Sequence, residues 1–244
     1  MQARIALRKT SLVDFPGKVA SVFFFPSCCL RCPWCQNREL VLEPDKAGLT
    51  CVSEGLSHIT ERRRVLGGVV LSGGEPAAFG DLPDLIRELK ALGLPVKLDT
   101  NGMYPGMLER LFSAEETSPD YIALDLKLAP DRYRELLPSF FRDTTAGPGA
   151  FAGAGEKLRE SAALLRSSGI AHEYRSLALP GNFFGLQDIE ALAPLVDNGP
   201  WYFRPFRPGN CLDPSWDGYD PPDAGMVKAL AAAACGIGKN GICP

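Results

Sequence analysis

Four cysteines fall within eight residues, Cys28-Cys29-Leu30-Arg31-Cys32-Pro33-Trp34-Cys35. Cys28, Cys32 and Cys35 stand at C-x3-C-x2-C, a spacing that lets one short loop aim three thiolates at a common centre. Soft thiolates select zinc or an iron–sulfur cluster. A structural zinc site wants four ligands, and no second CxxC or Cys/His pair supplies the other half. Three thiolates instead suit a [4Fe–4S] cube whose fourth iron stays open to a substrate. Cys29 could replace a neighbour as ligand or be a small buried residue. Adjacent cysteines do not comfortably ligate one cluster, so Cys29 is left outside the set. A zinc knuckle is the plain alternative for the loop.

Further chemistry-bearing residues follow along the chain. In Ser72-Gly73-Gly74-Glu75-Pro76 the glycines let backbone approach a ligand closely, and Glu75 is an acceptor suited to an ammonium. Asp99-Thr100-Asn101-Gly102 reads as an Asn-Gly turn carrying one carboxylate. Asp125 and Lys127 share a face if their segment is a strand. Charges in an apolar strand are costly unless paired or functional. Asp99 and Asp125 could instead share a hard cation, which prefers oxygen ligands. Arg175, in Glu173-Tyr174-Arg175, either pairs with Glu173 or holds a carboxylate bidentately; Arg207 is placed similarly. His58 and His172, the only histidines, have no partner in sequence and read as structural.

Short apolar runs alternating with helical patterns must position these residues. Strands are expected at Val19–Phe25, Gly68–Leu71, Val96–Leu98, Tyr121–Leu126, Ala171–Leu179 and Trp201–Phe206. Helices are expected at Cys51–Arg64, Leu82–Leu92, Gly106–Phe112, Glu156–Ser168, Leu186–Val196 with an interruption at Pro194, and Ala224–Cys235. Such alternation implies βα units and a parallel sheet. The fold class is α/β, a partial (β/α)6 barrel, in which ligands bind at the carboxyl ends of the strands. The cysteine loop, the Gly-Gly-Glu turn and Asp99 follow strands, and Asp125 lies at the end of one. The chain reads as one domain over residues 1–244: an N-terminal segment (1–18), the barrel core (19–210) and a C-terminal loop and helix (211–244). The Gly/Ala-rich stretch Thr145–Gly155 reads as a mobile connection.

Composition excludes several classes. With 45% hydrophobic and 23% charged residues over 244, the chain is globular rather than disordered. A net charge of −3 gives no footprint for nucleic acid or an anionic membrane. Met1–Arg8 lacks the apolar core of a secretory signal, and the longest apolar runs fall short of a membrane span. A cytoplasmic protein with reduced thiols is expected. It shows no flavin or nicotinamide fingerprint.

The CxxxCxΦC loop, with Trp34 at Φ, resembles the signature of the radical S-adenosylmethionine (radical SAM) superfamily. The resemblance implies a [4Fe–4S] cluster on Cys28, Cys32 and Cys35. Its open iron would chelate S-adenosylmethionine (SAM), whose one-electron cleavage yields a 5′-deoxyadenosyl radical. It further implies that Trp34, Ser72, Gly73, Gly74, Glu75, Asp99, Thr100, Asn101, Asp125, Lys127 and Arg175 contact the cofactor. Glu75 would take its amino group, Lys127 its carboxylate and Asp125 its ribose. Lys9–Lys18 (KTSLVDFPGK), Cys32–Asn37 (CPWCQN), Asp125–Lys127, Glu173–Arg175 and Leu179-Pro180-Gly181 narrow the likeness to glycyl-radical-enzyme activating proteins. Within these, it resembles most the activators of anaerobic ribonucleoside-triphosphate reductase; the alternatives are a small-molecule radical SAM enzyme like a deazapurine synthase, which shares the short chain and the cluster loop, and a non-enzymatic zinc-binding module. Ser27 and Cys29 depart from the family's Gly-Cys-Asn start. The implied partner is a glycyl-radical enzyme, and the implied electron donor a flavodoxin or ferredoxin.

Overall fold

The computed structural model describes residues 3–138 and 153–243. Two compact units divide the chain. One takes the chain up to Cys28, Asn37–Thr100 and Gly106–Ala123; the other takes Cys29–Gln36, Asn101–Pro105 and the chain from Leu124 onward.

The first unit contains β1 (Arg4–Ser11), β2 (Ala20–Phe25), α1 (Arg38–Leu42), β3 (Thr50–Cys51), α2 (Val52–Arg62), β4 (Gly68–Gly73), α3 (Leu82–Ala91) and β5 (Val96–Thr100). Its strands run in the order β3-β1-β2-β4-β5. β2, β4 and β5 are parallel, with Val22 opposite Val70 and Val70 opposite Lys97. Five of the six residues of β2 are buried; strands covered on both faces read as continuous apolar runs. α3 buries Leu82, Leu85, Ile86 and Leu89, the three-four spacing of a helix stripe. Helix α2 packs so tightly that a Cβ on Gly55 would lie 2.7 Å from the Phe23 ring.

α4 (Pro105–Phe112) leads to β6 (Tyr121–Asp125), whose last residues open the second unit. There follow α5 (Ala154–Ser168), β7 (Ala171–Ala178), α6 (Leu186–Leu192), β8 (Pro200–Pro205), α7 (Ala224–Gly236) and β9 (Asn240–Ile242). β7 and β8 are parallel, with Arg175 opposite Tyr202 and Leu177 opposite Arg204. α5 ends at Gly169 in the left-handed region (φ 71°), the usual helix stop.

All six expected strands and the six expected helices form, with ends moved by a few residues. The interruption expected at Pro194 is present: the helix from Leu186 stops at Leu192 and tightens into a 3-10 turn over Ala193–Leu195, because Pro194 cannot continue the ladder. The N-terminal segment contains a strand, β1, antiparallel to β2, and the C-terminal segment adds β9, parallel to β8. Of the stretch read as a mobile connection, 145–152 lies outside the described residues. Ala154 and Gly155 open α5 instead, and a Cβ on Gly155 would lie 2.4 Å from the Pro130 carbonyl oxygen. Among the described residues no helix is long and apolar enough to cross a membrane.

Candidate active site

In the first unit the end of β4, the turn after it and the end of β5 are tied together. Ser72 Oγ donates to Asp99 Oδ2 at 2.9 Å, and Lys97 pairs with Asp99 Oδ1. Glu75, buried, accepts from the Thr100 hydroxyl at 2.7 Å and from the Ala77 amide at 3.0 Å. The parallel register sets Leu71 beside Leu98, so Ser72 and Asp99 come next on each strand and meet. The turn is held from below: Gly74 N–H donates to the Phe25 carbonyl and Glu75 N–H to the Ser27 carbonyl. Gly73 sits at φ 113°, and a Cβ on Gly74 would lie 1.8 Å from the Ser27 carbonyl oxygen. No side chain fits there. The glycines let the turn lock onto the residue that precedes Cys28.

In the second unit a cavity of about 220 Å³ is lined by Trp34, Asp125, Lys127, Arg175, Ser176 and Arg204, among others. Asp125 accepts from Arg175 Nε at 2.8 Å and pairs with Lys127 Nζ at 3.2 Å. Burial pushes the Asp125 pKa up, but the neighbouring Arg175 and Lys127 charges outweigh it and bring the value down to about 2. Burial likewise opposes the Lys127 charge. Asp125 and the Cys32 and Cys35 sulfurs overcome it, so its pKa stands above the ordinary lysine value. Two cysteines of the loop therefore lie within electrostatic reach of the same ammonium. Tyr133 braces this corner: its hydroxyl accepts from the Lys127 amide at 3.0 Å and donates to the Asp125 carbonyl at 3.3 Å.

Trp34 is buried and packs against Trp216 and Phe183, with ring centroids 5.2 and 5.5 Å away. The Cys35 and Pro33 carbonyls accept from the Leu212 and Asp213 amides. These contacts fix the loop's course after Cys29. Asn101 donates to Cys29 Sγ at 3.9 Å and accepts from the Met103 amide at 3.0 Å. Arg175 donates from Nε to Asp125 Oδ1 and lines the cavity. Arg207 is exposed and does not line the cavity. His172 contacts Asp197 at 3.2 Å, and His58 lies 3.4 Å from the Lys9 carbonyl.

The structure thus brings together Ser72, Gly73, Gly74, Glu75, Asp99 and Thr100 in one unit, and Trp34, Asp125, Lys127 and Arg175 in the other. Cys28 belongs to the first unit, Cys32, Cys35 and Asn101 to the second. Among the described residues no three His, Cys, Asp or Glu side chains form a ready-made metal group. Sequence reading passed over Lys97, Arg204 and Ser176. Lys97 carried a usable signal: it shares a strand face with Asp99 by the alternation that linked Asp125 to Lys127.

The Radical SAM superfamily profile matches residues 22–190. The chain belongs to the radical SAM superfamily. It is 29% identical over 230 residues to the "Putative glycyl-radical enzyme activating enzyme" of Methanocaldococcus jannaschii, covering 92% of this chain and 88% of that one. It is 29% identical over 133 residues to the pyruvate formate-lyase 1-activating enzyme of Escherichia coli, covering 51% of this chain and 52% of that one. Among solved structures it resembles Streptococcus suis SuiB bound to S-adenosylmethionine, with a TM-score of 0.61 at 13% identity. That match covers 91% of this chain and 51% of SuiB, so the chain spans about half the length of the solved structure. The fold is accordingly the radical SAM α/β class, a partial barrel of parallel strands.

Radical SAM membership brings a [4Fe–4S] cluster and SAM as cofactors. The donor set suits them. Three cysteines of one loop offer soft sulfur donors; within the second unit Lys127 stands by two of them, and within the first the glycine turn abuts Ser27, which precedes Cys28.

Proposed function

We propose that this radical SAM enzyme activates a glycyl-radical enzyme, abstracting hydrogen from a backbone glycine of that partner. Similarity to the archaeal activating enzyme over nearly the full length of both chains carries the reading. The ordered motifs from KTSLVDFPGK to Leu179-Pro180-Gly181 favour an anaerobic ribonucleoside-triphosphate reductase as the partner.

In this reading Cys28, Cys32 and Cys35 hold the cluster. Bound together, cluster and SAM supply a one-electron cleavage that delivers a hydrogen-abstracting radical. The chain's own residues orient and shield. Glu75, held by Thr100 and the Ala77 amide, fixes the turn whose Ser72, Gly73 and Gly74 bring backbone close to the SAM amino group. Lys127 and Arg175, braced on Asp125, offer charge-assisted donors to the carboxylate. Asp125 also reaches ribose hydroxyls; Asp99 and Thr100, at the end of β5, and Asn101, which follows them in sequence, are the further contacts. Trp34 forms an apolar wall that keeps water from the cavity. A flavodoxin or ferredoxin supplies the electron.

The test is anaerobic. The reconstituted protein is mixed with purified anaerobic ribonucleoside-triphosphate reductase, SAM and a reductant, and the partner is examined by electron paramagnetic resonance. A glycyl-radical doublet on the partner, with 5′-deoxyadenosine released, is the expected result. Release of 5′-deoxyadenosine driven by a small molecule, with no radical on any glycyl-radical partner, would overturn the reading.

A further inference from the structure

Lys97 is a buried cation in the middle of a parallel strand, its side chain 2% exposed. It sits on the same face of β5 as Asp99, whose side chain is 11% exposed. Its ammonium pairs with one Asp99 oxygen while Ser72 donates to the other. A buried ion pair seldom stabilises a fold more than a well-packed apolar pair would, so stability alone gives no account of a lysine here.

The carboxylate's position does. Asp99 is the penultimate residue of β5, followed by Thr100, which is itself bonded to Glu75 of the Gly-Gly-Glu turn. Oxygen donors at such strand ends invite a hard cation, and from sequence alone Asp99 and Asp125 stood out for that. In the structure each carboxylate is already served from within the chain: Asp99 by Lys97, Asp125 by Lys127 and Arg175. An ammonium is a compact point charge with several donors. At a carboxylate it does the electrostatic work of a bound alkali ion and cannot dissociate.

We propose that Lys97 is the built-in counter-cation of Asp99, a positioning residue that holds this carboxylate for SAM and removes any need for an added monovalent cation. This rests on Asp99 being a cofactor contact. Lys97 touches neither cofactor nor substrate in this scheme; it acts through Asp99 and, through Ser72, steadies the turn that carries Glu75.

The test measures SAM affinity of the cluster-loaded protein by equilibrium dialysis, and by the change SAM makes in the reduced cluster's paramagnetic resonance. Choline chloride is compared with potassium, sodium and ammonium chloride at equal ionic strength. Wild-type affinity is expected to be the same in all four. Lys97→Met is expected to bind SAM about ten-fold more weakly in choline, with most of the loss recovered in one of the small cations. Wild-type affinity that rises severalfold with an alkali cation overturns the proposal, and this arm stands even if Lys97→Met does not fold. A folded Lys97→Met that binds like wild type in choline overturns it as well. Asp99→Asn separates the premise from the proposal. If it binds SAM normally, Asp99 is no cofactor contact. If it binds weakly while wild type depends on alkali ions, the contact stands and the role of Lys97 falls.

Discussion

At the residue scale, charge and burial set what each group can do. Asp125 illustrates the sign of its effect. Its folded pKa of about 2 lies below the ordinary value of 3.8. Its contribution to stability is therefore complete above pH 4 and is lost as pH falls through 4 towards 2, where the unfolded chain protonates first. A shift of this size corresponds to roughly 2 kcal/mol. Urea unfolding of the cluster-free protein at pH 5 and at pH 2.5 should show Asp125→Asn losing less stability on acidification than wild type. An identical loss in both would mean that Arg175 and Lys127 do not hold Asp125 ionised. Cys211 is the opposite case. Burial and the neighbouring Asp217 push its thiol up to about 12, so little thiolate is present near neutrality. Iodoacetamide at pH 8 should label the exposed Cys51 and Cys235 well before Cys211, as read by peptide mass spectrometry. Early labelling of Cys211 would show that its cover opens readily.

At the scale of elements, the strands made of apolar runs were legible because both of their faces are covered, as in β2 and β4. β1 was not. Most of its residues are exposed or half-buried, and Arg4, Arg8 and Lys9 interrupt any apolar alternation; only pairing with β2 makes it a strand. β9 contains Asn240-Gly241, a turn signature in sequence, yet it pairs beside β8. Gly241 serves close packing there, since a Cβ would lie 2.3 Å from the Ala231 carbonyl oxygen. The Gly-Gly-Glu turn shows the same logic at the site. Its motif was readable, but the obstacle that excludes a side chain at Gly74, the Ser27 carbonyl, lies far back in sequence. Gly74→Ala forces backbone apart, a strain of about 3 kcal/mol, which lowers the melting temperature by roughly 6–12 °C. Because the turn carries Glu75, SAM affinity should fall with it. A variant that melts and binds SAM like wild type would mean that the turn accommodates a methyl group without moving.

For the whole molecule, the question is how eight cysteines divide between chemistry and packing. The loop from Cys28 to Cys35 was legible because three of its thiols repeat at a spacing that carries meaning by itself. The roles of the other cysteines depend on neighbours brought in by the fold, as Asp217 is for Cys211 and Asn101 for Cys29. Lys97 stayed hidden for a related reason, since one lysine in an apolar strand gains a role only when its carboxylate is seen beside it. Cys51 and Cys235 are exposed, Cys211 is buried and Cys243 half-buried. None of these four stands in a CxxC pair of the kind the loop carries. Anaerobic reconstitution should therefore yield about four iron atoms per chain, the content of one cubane cluster. Cys28→Ala, Cys32→Ala and Cys35→Ala should each abolish SAM cleavage, because a cluster short of one protein thiolate loses either its hold or its open iron. Cys29→Ala should keep iron, brown absorbance and cleavage, since its sulfur accepts from Asn101. Loss of the cluster in Cys29→Ala would move the ligand set by one residue, and an iron content near eight would return the outlying cysteines to the chemistry.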